Sequence, residues 1–351
     1  MSAKKRGNTC FFGGLKPNPS TLDKKIFKEI FNLSWSPQAK LHLPPHWERV
    51  KKEIEEIVET VDPHLIHAHD VFAGKMSKEI GAPFVYDSHE YWNKDMPLKL
   101  VRRGLQILSL KHMIARTFGV SMWDHWQKEI VAESVTLTVS QKIVETLKEI
   151  NENVFLVPNF PFRSEAEKIS YQVKEHDFWS AYIGNDLSVP AKHRDVAYLS
   201  DIFSSPGTGN LAIIGDKKFE STERIQSVGF LPYHEMLEGL SRYHVGLLPW
   251  APHPYHKYCL PNKIADYSHA GLPIILMDSL GSAIDLLGEY CYVVKEPSEM
   301  NLMLQELTQK QIEIENMRDE IVNFARKVLI WEKHEENIFN AYKMALERND
   351  G

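Results

Sequence analysis

Short apolar runs recur along the chain and alternate with longer amphipathic runs. The runs 64–68, 83–86, 135–139, 154–157, 181–183, 211–214, 245–248 and 273–277 are apolar almost throughout. Such runs predict strands buried on both faces. Between them, apolar residues three and four apart predict helices over 47–60, 72–80, 140–150, 195–203, 233–240, 263–270 and 300–307. Regular strand–helix alternation predicts an α/β fold with parallel sheets covered by helices on both faces. The first unit is compressed: 8–12 predicts a strand, Gly13 and Gly14 a tight loop, and 22–33 a helix. The alternation pauses from Pro158 to about Glu175, where Pro158, Asn159 and Pro161 break regular structure. Trp331, Ile338, Tyr342 and Ala345 then mark one face of a last helix within 329–351.

The length, 351 residues, exceeds what one hydrophobic core usually organises. Two doubly wound domains are therefore expected, 1–160 and 161–328, with the last helix returning to the first. An apolar share of 43% and a charged share of 25% are ordinary for a soluble globular protein. The net charge of −6 lends no support to a nucleic-acid partner. The cysteines Cys10, Cys259 and Cys291 form no C-x-x-C pair, which argues against a disulfide framework or a cysteine zinc site. The apolar run after the basic start is too short for a signal peptide, and no stretch approaches the ~20 apolar residues of a membrane span. A cytoplasmic location is the expectation.

Two polar clusters close successive predicted strands. In His67-Ala68-His69-Asp70, alternation puts both histidines on one face of a strand, with Asp70 at its end. Asp87-Ser88-His89-Glu90 closes the next strand. Ligands of open parallel sheets bind outside the carboxyl ends of strands, so both clusters point at one rim. Three readings stay open: satisfied strand-end histidines with Asp87 or Ser88 capping a turn, a metal pair at His67 and His69, or a binding rim.

Two further runs suit phosphate. In Pro261-Asn262-Lys263-Ile264-Ala265-Asp266, Pro261 suits a helix start, and Lys263 and Asp266 share a helical face. A helix N-terminus with an adjacent lysine favours phosphate, and a carboxylate one turn on can accept from a ribose diol. A surface Lys–Asp pair of small energetic weight is the plainer reading. Gly184, following a predicted strand, lets a ligand approach the backbone, with Lys192, His193 and Arg194 shortly after. The chain has no Asp-x-Asp pair, no G-x-x-x-x-G-K-[ST] loop, no G-x-G-x-x-G and no G-x-S-x-G. Kinases, dinucleotide enzymes and α/β hydrolases lose weight accordingly.

Taken in order, these runs resemble glycosyltransferase family 4, retaining enzymes of the GT-B fold. The resemblance spans about residues 60 to 295. It is carried by Val61-Asp62-Pro63-His64 through His69-Asp70, Gly81-Ala82-Pro83 through Glu90, Thr138-Val139-Ser140, Val157-Pro158-Asn159, Ile213-Ile214-Gly215-Asp216, Val228-Gly229-Phe230-Leu231, Leu247-Leu248-Pro249 and the run from Pro261 to Ile275. It implies two Rossmann-like domains facing across a cleft, and metal-independent transfer of a sugar from a UDP- or GDP-sugar. The acceptor would be lipid-linked or a polysaccharide precursor, the enzyme of hexosyltransferase type (EC 2.4) and the pathway polysaccharide or glycolipid biosynthesis. By this resemblance Asn262, Lys263 and Asp266 serve the donor, with Asp266 near the ribose. Gly184 with Lys192 or Arg194 meets the diphosphate, and the backbone around Phe230 and Leu231 reads the base. His69, Asp70 and His89 face the reacting sugar on the acceptor side. No cofactor or metal is implied.

The chain departs from the family at three places. Tyr258 and Asp266 stand at the ends of its Glu-x7-Glu motif, Asn185 replaces an arginine, and the loop Asp278-Ser279-Leu280-Gly281 carries one glycine where two are common. These departures keep a second function open, a catalytically degenerate GT-B relative acting as a binding or scaffold protein. A third is a metal-dependent hydrolase using His67 and His69. The segment 98–118 carries Lys99, Arg102, Arg103, Lys111 and Arg116, with Leu98, Val101, Leu105 and Leu108 on one helical face. It predicts either a peripheral membrane contact or a core helix with a solvated basic face.

Overall fold

A computed structural model of the protein describes residues 2–15, 25–93, 95–96, 118–172, 175–188 and 192–348. The expected basic helix over 98–118 lies almost wholly outside the described residues.

Three parallel sheets organise these residues. Strands β1 (Cys10–Gly14) and β2 (Phe27–Asn32) form a pair. A four-stranded sheet runs β3 (Ile66–His69), β4 (Phe84–Ser88), β5 (Val135–Thr138) and β6 (Val154–Leu156). The remaining strands are β7 (Trp179–Ile183), β8 (Asn210–Ile214), β9 (Ile225–Gly229), β10 (Val245–Leu248), β11 (Ile274–Met277) and β12 (Cys291–Val294). They form a six-stranded sheet in the order β12-β11-β10-β7-β8-β9. Counted from its own first strand, that is the doubly wound order 3-2-1-4-5-6, whose direction reverses between β7 and β10.

Burial follows from that layering. β5, β10 and β11 are buried at every residue, as strands covered on both faces must be. One core fills the six-stranded sheet, from Ile169 to Ile314. Two others cover the faces of the four-stranded sheet. One face is covered by Trp47, Trp123 and Trp126 from the helices Pro44–Val61 and Val120–Glu133. The other buries Val85, Val135 and Leu137 under Ile338, Ala341 and Ala345 of the last helix, Glu335–Glu347. That helix starts after a short 3-10 turn, Trp331–Lys333, whose first amide donates to the carbonyl of Pro161 at 2.9 Å.

The start of the chain corrects the sequence reading. Residues 22–33 were expected to be helical, but Phe27–Asn32 is a strand paired in parallel with Cys10–Gly14. Gly13 and Gly14 belong to that first strand and form no tight loop. Phe27, Ile30 and Phe31 fit either period in so short a run, and their aromatic and β-branched side chains suit a strand once a partner edge is available. Two strands, β9 and β12, were not anticipated. Their mixed burial, with exposed residues between partly buried ones, reflects places at the two sheet edges.

Candidate functional site

The first wall forms at the switch point of the six-stranded sheet. The chain leaves β7 through Gly184, whose φ of 149° favours glycine. A Cβ there would lie 2.9 Å from Asp186 Oδ2, 3.1 Å from Lys263 Nζ and 3.1 Å from the Tyr182 hydroxyl. These three groups thus converge on the spot that the missing side chain leaves open. The Tyr182 hydroxyl donates to Asp186, and Asp186 stands 3.9 Å from Lys263. Lys263 opens the helix Lys263–His269, with Asn262, exposed, at its N-cap. Its ammonium lies 4.6 Å from the Tyr182 ring centre and 5.1 Å from that of Trp250. Burial lowers the Lys263 pKa to about 8, against the raising field of Asp186.

Arg194 lies over the same Trp250 ring, 4.9 Å from its centre. Its Nε is buried without a hydrogen-bond partner among the described residues. A buried, unpaired guanidinium donor beside a lysine is an arrangement that an anion completes. Lys192 opens the same 3-10 turn, Lys192–Arg194, but its side chain lies outside the described residues.

One helical turn beyond Lys263, Asp266 accepts from the Tyr233 hydroxyl at 3.0 Å. Burial raises the Asp266 pKa to about 6, although the Tyr233 bond and Lys263 both act to lower it. Lys263 and Asp266 therefore do not form a surface pair; each faces a different partner. Phe230 is 68% exposed beside partly buried Leu231, with the Lys217 ammonium 5.4 Å from its ring centre.

The second wall stands at the carboxyl ends of β3 and β4. Parallel register sets His67 beside Val85 and His69 beside Asp87. Asp87 Oδ2 receives His67 Nε2 at 2.9 Å, His89 Nε2 at 3.1 Å and His69 Nδ1 at 3.2 Å. Burial opposes the charge on Asp87, but the three imidazole bonds outweigh it and hold the pKa well below the ordinary carboxylate value. The Asp87 bond in turn raises the pKa of His89. His67 Nδ1 faces the Tyr342 hydroxyl of the last helix at 2.7 Å.

Asp70 does not join this cluster. It takes a positive φ of 69° at the start of the helix Asp70–Glu79, and its Oδ1 accepts from the Val71 amide at 2.7 Å and the Trp92 indole at 2.8 Å. Asp70 thus fixes a helix start, and Asp87 takes the central place. Asp87 was legible only as a strand-end residue or turn cap. Tyr342 carried no signal, being 275 residues from His67 in sequence.

A cavity of about 320 Å³ lies between the walls, lined by Asn159, Phe160, Glu165, Tyr233, Asn262 and Asp266 among others. Asn159 also reaches the second wall, its amide 3.5 Å from His89 Nδ1. Beside the cavity the halves touch directly. The Tyr91 amide donates to the Tyr255 hydroxyl at 3.1 Å, Ser140 Oγ to the Tyr258 carbonyl at 2.8 Å, and the Tyr91 and Tyr258 rings lie 4.6 Å apart. Tyr258, at the position of the missing glutamate, therefore packs against the opposite half.

No protein-family model matches the chain, and no curated protein matches it. Solved structures do. Sucrose-phosphate synthase from Thermosynechococcus elongatus superposes with a TM-score of 0.74 at 11% identity, covering 99% of this chain and 91% of that one. A glycosyltransferase from Rickettsia africae gives 0.67 at 12% identity, with 98% and 92% covered. HepE from Anabaena in complex with UDP gives 0.65 at 11% identity, with 96% and 100% covered. The chain has the GT-B fold of these glycosyltransferases, an α/β architecture of parallel sheets.

Proposed function

We propose that the protein is a retaining glycosyltransferase that moves a sugar from a nucleotide diphosphate to an acceptor, with the donor on the wall of residues 161–328 and the acceptor on that of 1–160. The observation that carries this reading is the crevice between β7 and β10. There Lys263 borders the open position at Gly184, and Arg194, its buried Nε unpaired among the described residues, lies over the same Trp250 ring as Lys263. This is where a doubly wound sheet takes a nucleotide. HepE, similar in fold, is described in complexes with UDP and with UDP-glucose, which favours a UDP-sugar here.

In the reaction, the acceptor oxygen bonds to the anomeric carbon as the bond from that carbon to the diphosphate breaks. The acceptor proton passes to the leaving diphosphate. Negative charge builds on the diphosphate, and fixed cations in a dry crevice stabilise it. Lys263 and Arg194, with Lys192, supply them, so the leaving group needs no metal. Asp266 holds the ribose, Asn262 stands at the same helix start, and the backbone at Phe230 and Leu231 meets the base. His69 and His89 face the acceptor.

Calorimetry against UDP, GDP and ADP and their sugar conjugates, with and without EDTA, tests the assignment. One nucleotide is expected to bind saturably and insensitively to EDTA. Asp266→Ala is expected to weaken it by at least about tenfold without unfolding the protein, the weight of one hydrogen bond to a charged group. An unchanged affinity removes Asp266 from the ribose. Failure of every nucleotide to bind folded protein favours a scaffold role.

The segment 98–118 is proposed to dock the enzyme beside a lipid-linked acceptor, and no described helix is long and apolar enough to cross a membrane. Neutralising Arg102, Arg103 and Lys111 is expected to abolish co-sedimentation with anionic liposomes. Equal pelleting of both proteins rejects the contact.

A further inference from the structure

We infer that His67, His69, His89 and Asp87 form a binding site for a transition-metal dication of the zinc class, at the carboxyl ends of β3 and β4. The donor crevice plays no part in this site, and the inference stands whether or not the protein transfers sugar.

The argument begins with spacing. His69 Nδ1, His89 Nε2 and Asp87 Oδ2 are separated by 3.2, 3.1 and 3.2 Å, a nearly equilateral triangle. A tetrahedral ion with bonds of about 2.0 Å requires ligand atoms about 3.3 Å apart. His67 Nε2 lies 2.9 Å from the same carboxylate oxygen, and the ligand atoms of His67, His69 and Asp87 all fall within 4.8 Å of one another. Three imidazoles thus gather on one carboxylate oxygen, with His69, His89 and Asp87 forming the tight triangle.

Proton accounting favours an ion there. Three imidazole nitrogens converge on a single carboxylate oxygen. Without a cation, the three rings must share that one acceptor, and His69 Nδ1 and His89 Nε2, 3.2 Å apart, must share a proton between them. A dication accepts imidazole lone pairs and the carboxylate charge together.

The surroundings orient the ligands. The Tyr342 hydroxyl takes Nδ1 of His67, which leaves Nε2 for the cluster. Asn159 stands beside Nδ1 of His89, its amide nitrogen 3.5 Å away. Such outer partners fix tautomer and ring direction in histidine metal sites. The His69 side chain is 63% exposed, so an ion has a path in. Imidazole-rich sites select zinc or its neighbours over magnesium and calcium, which take oxygen ligands. The resemblance implies no metal at the diphosphate and is silent about this wall.

The test uses the full chain, freed of metal by chelator dialysis and titrated with Zn²⁺ by calorimetry, without nucleotide. One Zn²⁺ per chain is expected, and Co²⁺ in its place is expected to give visible bands of tetrahedral type. His69→Gln, whose side chain is largely exposed and leaves folding intact, should weaken Zn²⁺ by at least about tenfold. Tyr342→Phe, which removes only the outer partner, should weaken it by about tenfold. Circular dichroism verifies the fold of each variant. No saturable Zn²⁺ binding, or an affinity unchanged in His69→Gln and in a His67→Ala/His89→Ala double variant, overturns the site. Nucleotide affinity, read separately, reports on the transferase reading alone.

Discussion

Lys263→Ala is expected to lower transfer by about 10²–10³-fold, as loss of one preorganised group facing developing charge does elsewhere. Nucleotide affinity should fall by about 10–100-fold, the weight of one charge-assisted hydrogen bond. Arg194 does not replace the lost charge, because Lys263, not Arg194, borders the open position at Gly184. Steady-state kinetics and calorimetry on the same preparation check both numbers. Wild-type values in the variant would remove the lysine from the donor site.

The same wall gives the donor affinity a pH profile. Burial lowers the Lys263 pKa to about 8, so rising pH discharges it there, well before its ordinary value of 10.5. Burial raises the Asp266 pKa to about 6, so falling pH neutralises it there, above its ordinary value of 3.8. Binding that uses ammonium and carboxylate together should peak between pH 6 and 8 and fall on both sides. Stability moves otherwise. With the lysine depressed, the folded chain releases its proton first, and stability rises with pH from about 8 towards 10.5. With the aspartate raised, stability falls with pH from 3.8 to about 6. A profile of binding that merely tracks stability would refute the assignment. Lys263→Ala should remove the alkaline limb.

Gly246→Ala is expected to disrupt the first wall. An added Cβ would sit 2.4 Å from Cγ of Tyr267 and 2.6 and 2.7 Å from its two Cδ atoms, far inside the roughly 3.5 Å of a carbon contact. Tyr267 is fully buried and has no room to withdraw. Its hydroxyl accepts from the Ile183 amide at 2.9 Å and donates to the Leu247 carbonyl at 3.1 Å, tying β7 to β10 across the switch point. Overpacking costs about 1–3 kcal/mol, and each strained hydrogen bond adds about 1 kcal/mol. Thermal unfolding should therefore shift down by several degrees. Donor affinity should fall with it, because Tyr267 and Lys263 are one turn apart on the same helix. Gly281→Ala is the control: nothing lies within 4 Å of its added Cβ, and its melting temperature should not fall. Equal melting of the two variants would show that Tyr267 does not hold the strands in place.

The sequence by itself determined the layering. Runs such as Val245–Leu248 have no polar alternation, so they must be covered on both sides, and the helices between them supply the cover. It also marked the strand ends, since His69, Asp87 and Gly184 sit where apolar runs stop. Periodicity could not decide residues 27–32, because a run of six fits either helix or strand until a partner edge exists.

The tertiary structure decided which of these groups meet. Asp87 lies beside His69 because β3 and β4 pair in that register, and Tyr342 completes the cluster because the last helix crosses back over β4 and β5. Lys263 looks like half of a surface pair with Asp266 in sequence. In the fold Lys263 stands by Asp186 and Asp266 accepts from Tyr233, and burial drives their pKa values towards each other. Distances across the chain depend on strand order and on the angle at which layers pack. No local pattern encodes either, because both follow from how all the apolar faces are buried together.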